Sequence, residues 1–485
     1  MNQNTNASEP DSKTKARDLW VKNTHSQYQL NVTITPLEGT NETGKKIILM
    51  EDLEKRKEVY GICGECNEPG TGRRWCQPCN TRRFKENFKN WTSGNKDLDE
   101  LIQHSQINAL HRKGVLEWIP YEKFKNITYI TRGGFGKIYS ADWPEGSIRF
   151  WDIENQKWDK CPNVKVALKC LDNSSNLSRE FLNEIKSHLQ IYVFDIIQCY
   201  GITQDPITKD YMMVLLYCTN GNLRDHLING SISLNCNKKI EHLTEIASGL
   251  LNIHSAGRVH KDFHSGNILY GSFGHPHISD LGMCQPANID NESNNEGSYG
   301  VLPYMAPEVL RGHPYEKASD IYSFGIVMNE LMSEEIPYSN EPHDHTLAIK
   351  VCKGYRPKIS EDTPKLIADL INKCWDTNPE NRPTGKELYQ TLKKWKIEMY
   401  DNNSEIKSQI KKCKRNKLKN KPTRSQSHPQ AIYTSRHINF KNILDPINST
   451  NSSSHSDDTP SSSSNLISEC FDCQLSELDL NQEDE

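Results

Sequence analysis

A glycine-rich turn at residues 130–138 is the first feature of the sequence that could do chemistry. It runs Ile-Thr-Arg-Gly-Gly-Phe-Gly-Lys-Ile and joins two apolar segments. Because glycine has no side chain, backbone N–H groups in such a turn can approach phosphate oxygens closely. Taken alone, such a turn is more often an ordinary hairpin, so it indicates a phosphate site only if other residues support it.

Five further motifs follow this turn in order. They are Val-Ala-Leu-Lys at 166–169, Phe-Leu-Asn-Glu-Ile at 181–185, His-Lys-Asp-Phe-His-Ser-Gly-Asn at 260–267, Asp-Leu-Gly at 280–282 and Ala-Pro-Glu at 306–308. The succession resembles the signature motifs of protein kinases, over residues 118–396. It is most similar to the tyrosine-kinase-like group, whose members act mainly on Ser and Thr. The resemblance implies a bilobal α+β fold and transfer of the γ-phosphate of ATP to protein substrates.

The resemblance also implies a role for each charged side chain, since phosphoryl transfer has a highly charged transition state. Lys169 is expected to hold the α- and β-phosphates, and Glu184 to fix its ammonium by an ion pair. Asn267 and Asp280 are expected to bind Mg²⁺, which prefers oxygen ligands. Asp262 is expected to accept or orient the proton of the substrate hydroxyl.

The nucleotide pocket and a structural ion pair are implied in the same way. The residues expected to contact the nucleotide are Gly133, Gly134, Gly136, Ile138, Ala167, Lys169, Leu216, Cys218 and Leu269. Leu215 occupies the gatekeeper position before the hinge. Glu308 and Arg382 are expected to form a buried ion pair that stabilises the large lobe.

Several residues depart from the usual kinase pattern. Thr131 replaces the first glycine of the loop, Lys261 replaces the Arg of His-Arg-Asp, and Leu281 replaces the Phe of Asp-Phe-Gly. No catalytic carboxylate is missing, so an active Ser/Thr kinase is favoured over a pseudokinase scaffold. His264 and Val301 differ from the residues that Ser/Thr kinases usually carry. Tyrosine or dual specificity therefore stays an alternative.

Two segments of the kinase-like region carry expectations of their own. Ser298 and Tyr299 lie between the Asp-Leu-Gly and Ala-Pro-Glu motifs, and we expect one or both to be regulatory phosphosites. The stretch before Lys169 is longer than usual. Its excess, near residues 148–163, predicts an extra hairpin or surface loop to which the sequence assigns no function.

Four cysteines, Cys63, Cys66, Cys76 and Cys79, form the pattern C-x2-C-x9-C-x2-C, which resembles a zinc knuckle. Two such pairs can offer four thiolates to one tetrahedral Zn²⁺. A structural zinc ion is favoured over free thiols or a redox dithiol. The surrounding segment, the four-cysteine module, is a candidate for binding a protein partner. The basic residues in it are interpreted as a solvated surface rather than a nucleic-acid interface.

Hydrophobic periodicity predicts the elements that must position these residues. Short apolar runs over 125–169 predict a β-rich small lobe, and helical spacing over 240–253 and 321–331 predicts an α-rich large lobe. We expect four regions: a disordered N-terminus at 1–22, the four-cysteine module with a linker helix at 55–115, a kinase domain at 118–396 and a disordered tail at 400–485.

Composition limits the remaining function classes. The 485 residues carry 59 basic and 63 acidic side chains, so no overall charge attracts nucleic acid or lipid. The sequence has neither a signal-peptide pattern nor an apolar run long enough to span a membrane. Most of the fifteen cysteines are scattered singly, which is typical of a reducing compartment. We expect a cytoplasmic protein, with the nucleus as the alternative.

Overall fold

The computed structural model describes residues 19–21, 28–31, 46–133, 136–171, 174, 177–191, 195–229, 234–287, 298–417 and 427–438. Its strands are β1 (Tyr28–Asn31), β2 (Lys46–Leu49), β3 (Glu117–Trp118), β4 (Lys125–Gly133), β5 (Gly136–Trp143), β6 (Ile148–Asp152), β7 (Lys157–Lys160), β8 (Val164–Leu171), β9 (Cys199–Gln204), β10 (Tyr211–Leu216), β11 (Arg258–Val259), β12 (Ile268–Tyr270), β13 (Pro276–Ile278), β14 (Gln285–Pro286), β15 (Ser298–Gly300) and β16 (Arg436–Ile438). Its helices are α1 (Leu53–Tyr60), α2 (Gln77–Asn87), α3 (Lys96–Asn108), α4 (Arg179–Gln190), α5 (Leu223–Asn229), α6 (Cys236–Ser255), α7 (Pro307–Leu310), α8 (Lys317–Ser333), α9 (His345–Cys352), α10 (Lys365–Cys374), α11 (Gly385–Glu398) and α12 (Glu405–Lys417). The predicted bilobal α+β architecture is confirmed.

The small lobe is built on a six-stranded sheet in the order β3-β9-β10-β8-β5-β4. Helix α4 packs Phe181 and Ile185 into the core beside this sheet, and the Ser178 hydroxyl caps its first turn. The predicted linker helix is α3, which adds Leu98 and Ile102 to the same core. The helix that carries Glu184 is therefore supported from two sides.

The extra segment before β8 is a hairpin, β6–β7, that contacts the four-cysteine module. The Trp158 ring stacks on Trp75 at 5.9 Å and on Phe84 at 4.9 Å between centroids. Trp75 is fully buried and donates its Nε1–H to the carbonyl of Ala109 at 2.8 Å. The hairpin thus joins the four-cysteine module to the small lobe, a role that the sequence pattern did not indicate.

Two of the basic residues around the cysteines take part in this contact. The Arg74 guanidinium lies 3.5 Å from the centroid of the Phe150 ring, and that of Arg83 lies 4.3 Å from the Trp151 ring. Arg83 also forms an ion pair with Glu65. These two arginines contact the small lobe instead of the solvated surface expected for them.

The large lobe has one continuous hydrophobic core around α6 and α8. The apolar positions predicted from helical spacing, including Ile240, Leu243, Phe324 and Leu331, are all buried in it. Helix α11 packs on α6 and adds Leu388 and Leu392. Within the described ranges, no helix is long and apolar enough to cross a membrane.

The prediction of a disordered tail over residues 400–485 is wrong for the two parts that the structure describes. Helix α12 buries Ile406 and Ile410 in the large-lobe core, and the segment 427–438 lies on the same lobe with Ile438 buried. The basic composition of this region concealed an apolar pair at helical spacing. The rest of the tail, at 418–426 and 439–485, lies outside the described residues, as do residues 1–18 and 22 of the predicted disordered N-terminus. The prediction is wrong for residues 19–21, because Trp20 forms a β-bridge with Gly61 of the four-cysteine module.

Candidate active site

Three charged side chains, from a strand, a helix and a loop, meet between the lobes. Lys169 on β8 places its Nζ 2.7 Å from Oε1 of Glu184 on α4 and 2.7 Å from Oδ1 of Asp280. Antiparallel pairing of β8 with β5 sets Ile138 opposite Lys169, so the lysine lies beside the glycine-rich turn. The predicted ion pair between Lys169 and Glu184 is present.

Burial of this cluster makes its electrostatics strong. Burial alone would lower the pKa of Lys169, but the carboxylates of Asp280 and Glu184 raise that pKa well above its usual value. Burial would likewise raise the pKa of Asp280, but the Lys169 ammonium lowers it. The lysine is therefore a cation and Asp280 an anion at neutral pH, the charges needed to hold phosphate and a metal ion.

Asp262 and Asn267 face each other across a tight turn. The Asn267 side-chain amide donates to the backbone carbonyl of Asp262 at 2.9 Å, which fixes both residues. Burial would raise the pKa of the Asp262 carboxyl, but His264 and a hydrogen bond from Ser435 lower it to about 2. Asp262 is thus an ionised acceptor in a nearly closed site.

The loop that carries Asp262 is positioned by Asp320 on α8. Its carboxylate accepts the backbone N–H groups of His260 at 2.8 Å and Lys261 at 3.1 Å, and it pairs with His254 at 3.0 Å. Lys261 has a φ of 68°, in the left-handed region that costs a non-glycine residue energy. These hydrogen bonds hold the loop in that conformation.

Several of the predicted nucleotide-contacting residues pack together. Ala167, Leu216 and Leu269 are partly buried and pack against the cluster that contains Leu215 and Cys218. Partly buried apolar groups of this kind can receive a flat aromatic ring such as adenine.

The glycine-rich turn is described at its two ends. Gly133 and Gly136 close the β4–β5 pairing opposite each other. A Cβ on Gly136 would lie 1.9 Å from the carbonyl oxygen of Cys170, so this position requires glycine. Gly134 lies outside the described residues.

The side chains near Asp262 are of the kinds that bind Mg²⁺ and phosphates. The carboxylate of Asp280 and the amide of Asn267 are oxygen ligands of the kind that Mg²⁺ takes. In the part of the chain that the structure describes, Asp262 Oδ1 is buried without a hydrogen-bond partner and lies 3.6 Å from His264 Nε2. A buried carboxylate oxygen without a hydrogen bond indicates a place for a ligand.

The structure also contains the second predicted ion pair, and it gives the positions of the predicted phosphosites. Arg382 donates to both carboxylate oxygens of Glu308, at 2.7 and 2.8 Å, and Ser319 adds a hydrogen bond to the same carboxylate. Ser298 and Tyr299 form part of β15 at the entrance to the cleft. The Ser298 hydroxyl donates to the carbonyl of Val309 at 2.9 Å.

One residue at the cleft was missed by the sequence analysis altogether. The Ser435 hydroxyl donates to Oδ2 of Asp262 at 2.6 Å, across 173 residues of chain. No sequence signal pointed to this serine, because it belongs to a tail whose composition indicated disorder. Contacts between such distant residues leave no local pattern.

The four cysteines form a second candidate site away from the cleft. Their sulfurs all lie within 4.8 Å of one another, with Cys63 to Cys79 at 3.9 Å and Cys66 to Cys76 at 3.6 Å. Ligands at a Zn–S distance of about 2.3 Å in a tetrahedron are separated by about 3.8 Å. The arrangement therefore fits a tetrahedral metal ion.

Comparison with known proteins agrees with this geometry. The family model described as protein tyrosine and serine/threonine kinase matches residues 124–392. A probable LIM domain-containing serine/threonine-protein kinase of Dictyostelium discoideum is 33% identical over 308 residues, which cover 62% of this chain and 44% of the relative. The dual specificity protein kinase shkA of the same organism is 28% identical over 265 residues, covering 54% and 47%.

A mouse relative, receptor-interacting serine/threonine-protein kinase 4, is 26% identical over 288 residues, covering 57% of this chain and 34% of the relative. The chain thus spans less than half the length of these curated relatives. The matched range contains every element of the cleft described above except Ser435. The chain belongs to the protein kinase family.

Proposed function

We propose that the chain is an ATP- and Mg²⁺-dependent protein kinase that phosphorylates Ser and Thr hydroxyls of protein substrates. The observation that carries this proposal is the convergence of Lys169, Glu184 and Asp280 opposite Asp262 and Asn267. A pseudokinase scaffold would not need an ionised, hydrogen-bonded Asp262 in this position. Intracellular signalling in the cytoplasm is the setting that we infer, since none of the thirteen cysteines in the described part of the chain forms a disulfide.

Each side chain of the cleft has a distinct part in the reaction. Lys169, held by Glu184, would bind phosphate oxygens, while Asn267 and Asp280 would hold Mg²⁺. When bound, the ion neutralises charge on the phosphates. Asp262 orients the acceptor hydroxyl and takes its proton as the hydroxyl oxygen attacks the γ-phosphorus.

The test is phosphate transfer from labelled ATP to a generic acceptor protein, followed by phosphoamino-acid analysis. Asp262→Asn keeps the size of the side chain but removes its charge, and we expect a loss of about 10²–10⁴-fold. Asp369→Asn, on the exposed surface of α10, is the matched control and should retain full activity. Equal activity of both variants would contradict the proposal.

Phosphoamino-acid analysis distinguishes the specificities. Labelled Ser or Thr alone supports the proposal. Labelled Tyr as well would indicate dual specificity, the activity named for one of the relatives.

We also propose that the four cysteines hold one structural Zn²⁺. The sulfur separations support this, as does burial of Cys63, Cys76 and Cys79. The purified chain should contain one zinc ion per molecule by elemental analysis, and Cys76→Ser should lower this content. Cys161→Ser, outside the cluster, is the control and should keep the metal.

The module is also a candidate for binding a protein partner, and the small-lobe hairpin already covers one of its faces.

A further inference from the structure

Residues 427–438, here called the C-terminal strap, lie across the entrance to the cleft. Strand β16 at its end pairs antiparallel with β15, with Ser298 opposite Ile438 and Gly300 opposite Arg436. β15 and β16 form a two-stranded sheet by themselves, and pairing of an extended segment with a strand is one of the ways in which proteins bind peptides. The strap is therefore bound as a peptide ligand would be.

Hydrogen bonds to backbone atoms fix the strap at several points before β16 and at its first residue. Arg224 donates to the carbonyl of Tyr433 at 2.7 Å, and the N–H of His343 donates to the carbonyl of Gln430 at 3.0 Å. Arg436 in turn donates to the carbonyl of His343 at 2.7 Å. These contacts determine the register of the strap and hence which side chain reaches Asp262.

The side chain in that place is Ser435. Its hydroxyl oxygen is 2.6 Å from Asp262 Oδ2 and 3.4 Å from His264 Nε2. The neighbouring Thr434 is exposed, whereas Ser435 is partly buried. A hydroxyl that donates to an ionised carboxylate at this distance has the arrangement required of a phosphate acceptor before transfer.

We propose that Ser435 is a phosphorylation site of this kinase in its own chain, and that the strap occupies the place of a protein substrate. This inference rests on the function proposed above. The Ser435 oxygen forms a bond to the γ-phosphorus of ATP as the bond from that phosphorus to the β,γ-bridging oxygen breaks. ADP leaves with that electron pair, and the hydroxyl proton passes to Asp262.

The product no longer fits the position that Ser435 occupied. A phosphate adds nearly two negative charges, directly beside the buried Asp262 carboxylate. Like charges at this distance repel each other strongly in a site with little water. Phosphorylation of Ser435 therefore releases the strap and opens the cleft to other substrates.

The experiment starts with full-length chain freed of phosphate, incubated with Mg²⁺ and ATP. Phosphopeptides are mapped by mass spectrometry over time, beside a generic acceptor assayed in parallel. Phosphate should appear on Ser435 with a rate constant that is unchanged by dilution, as an intramolecular reaction requires. Thr434→Ala is the matched control and should be phosphorylated at Ser435 like the unaltered chain, whereas Ser435→Ala should lack this phosphopeptide.

The possible failures are distinguishable. Phosphorylation of the generic acceptor without phosphate on Ser435 overturns the inference and leaves the proposed function intact. A rate constant that rises in proportion to protein concentration overturns the intramolecular step. Transfer to neither substrate, with ATP binding intact, overturns both the inference and the proposed function.

Discussion

Segments on both sides of the kinase domain fold back onto it, and their contacts differ in kind. The four-cysteine module meets the small lobe through stacked rings, with Trp75 fully buried against both Phe84 and Trp158. The C-terminal strap meets the large lobe mainly through hydrogen bonds to backbone atoms; Ile438 is its one buried apolar side chain, and the Tyr433 ring is partly buried against the large-lobe core.

This difference predicts different lifetimes for the two contacts. Buried aromatic side chains each remove a large apolar area from water, and no competing ligand can replace that burial. A backbone hydrogen bond contributes only about 1 kcal/mol net, and another extended peptide can form the same bonds. The small-lobe contact is thus permanent structure, whereas the large-lobe contact is suited to exchange with substrate.

Removal of the proposed metal ion should have the largest effect on stability, and this effect should be confined to the four-cysteine module. Zinc binding by four thiolates contributes on the order of 10 kcal/mol to the folding of a small module. With a strong chelator we expect the amides of α2 to exchange rapidly, while those of Arg436–Ile438 keep their protection. Hydrogen–deuterium exchange measures both segments in one sample. Unchanged exchange in α2 would mean that the cysteines need no metal.

Trp158→Ala should destabilise the same contact from the kinase side. Truncation of a core tryptophan costs about 3–5 kcal/mol, and Trp158 is partly buried, so we expect a loss near the lower end of that range. The urea concentration at the midpoint of unfolding should be measurably lower than that of the unaltered chain. Phe273→Ala is the control, since that ring is 92% exposed and its removal should leave the midpoint unchanged. Equal midpoints for the two variants would show that the hairpin does not hold the module.

Ile438→Asp should lower stability less than Trp158→Ala does, but it should measurably change activity. An unpaired carboxylate in the place of Ile438 costs about 2 kcal/mol or more, enough to detach the strap. We expect several-fold faster phosphorylation of a generic acceptor and a nearly unchanged urea midpoint. Ile432→Asp, at an exposed strap position, is the control. A fall in midpoint as large as that of Trp158→Ala would show that the strap is permanent structure too.

The residues of the candidate active site were predictable from the sequence, but the two flanking contacts were not. Lys169, Asp262 and Asp280 follow one another along the chain in the order of the kinase motifs, and this order is a readable signature. Trp75 and Trp158 are separated by a long stretch of chain, and no periodicity connects them. Their contact depends on how separate elements pack, which local patterns do not encode.

The tail shows a second limit of sequence interpretation. Its mean composition indicated disorder, yet Ile406 and Ile410 are spaced as one face of a helix and are buried. That signal was present and was outweighed by the surrounding lysines. The place of Ser435 had no such signal, because many of the hydrogen bonds that determine the register of the strap are made to its backbone atoms and leave no side-chain pattern.

Tyr299→Phe should have the smallest effect and gives the sharpest test of how the strap is held. The Tyr299 hydroxyl donates to the carbonyl of Ser435 at 3.3 Å, and its ring lies edge-on to His437 at 5.1 Å. The substitution removes one hydrogen bond of about 1 kcal/mol and keeps the ring contact, so the detached strap should become about fivefold more populated. Exchange of the Arg436–Ile438 amides without ATP measures this directly. Tyr299→Ala removes the ring as well and should increase exchange further. Unchanged exchange in both variants would mean that Tyr299 does not hold the strap.

Phosphorylation of Tyr299, a predicted phosphosite, would also remove the hydroxyl that donates to the Ser435 carbonyl. Phosphorylation of Tyr299 and phosphorylation of Ser435 therefore act in the same direction, because each weakens a contact of the strap.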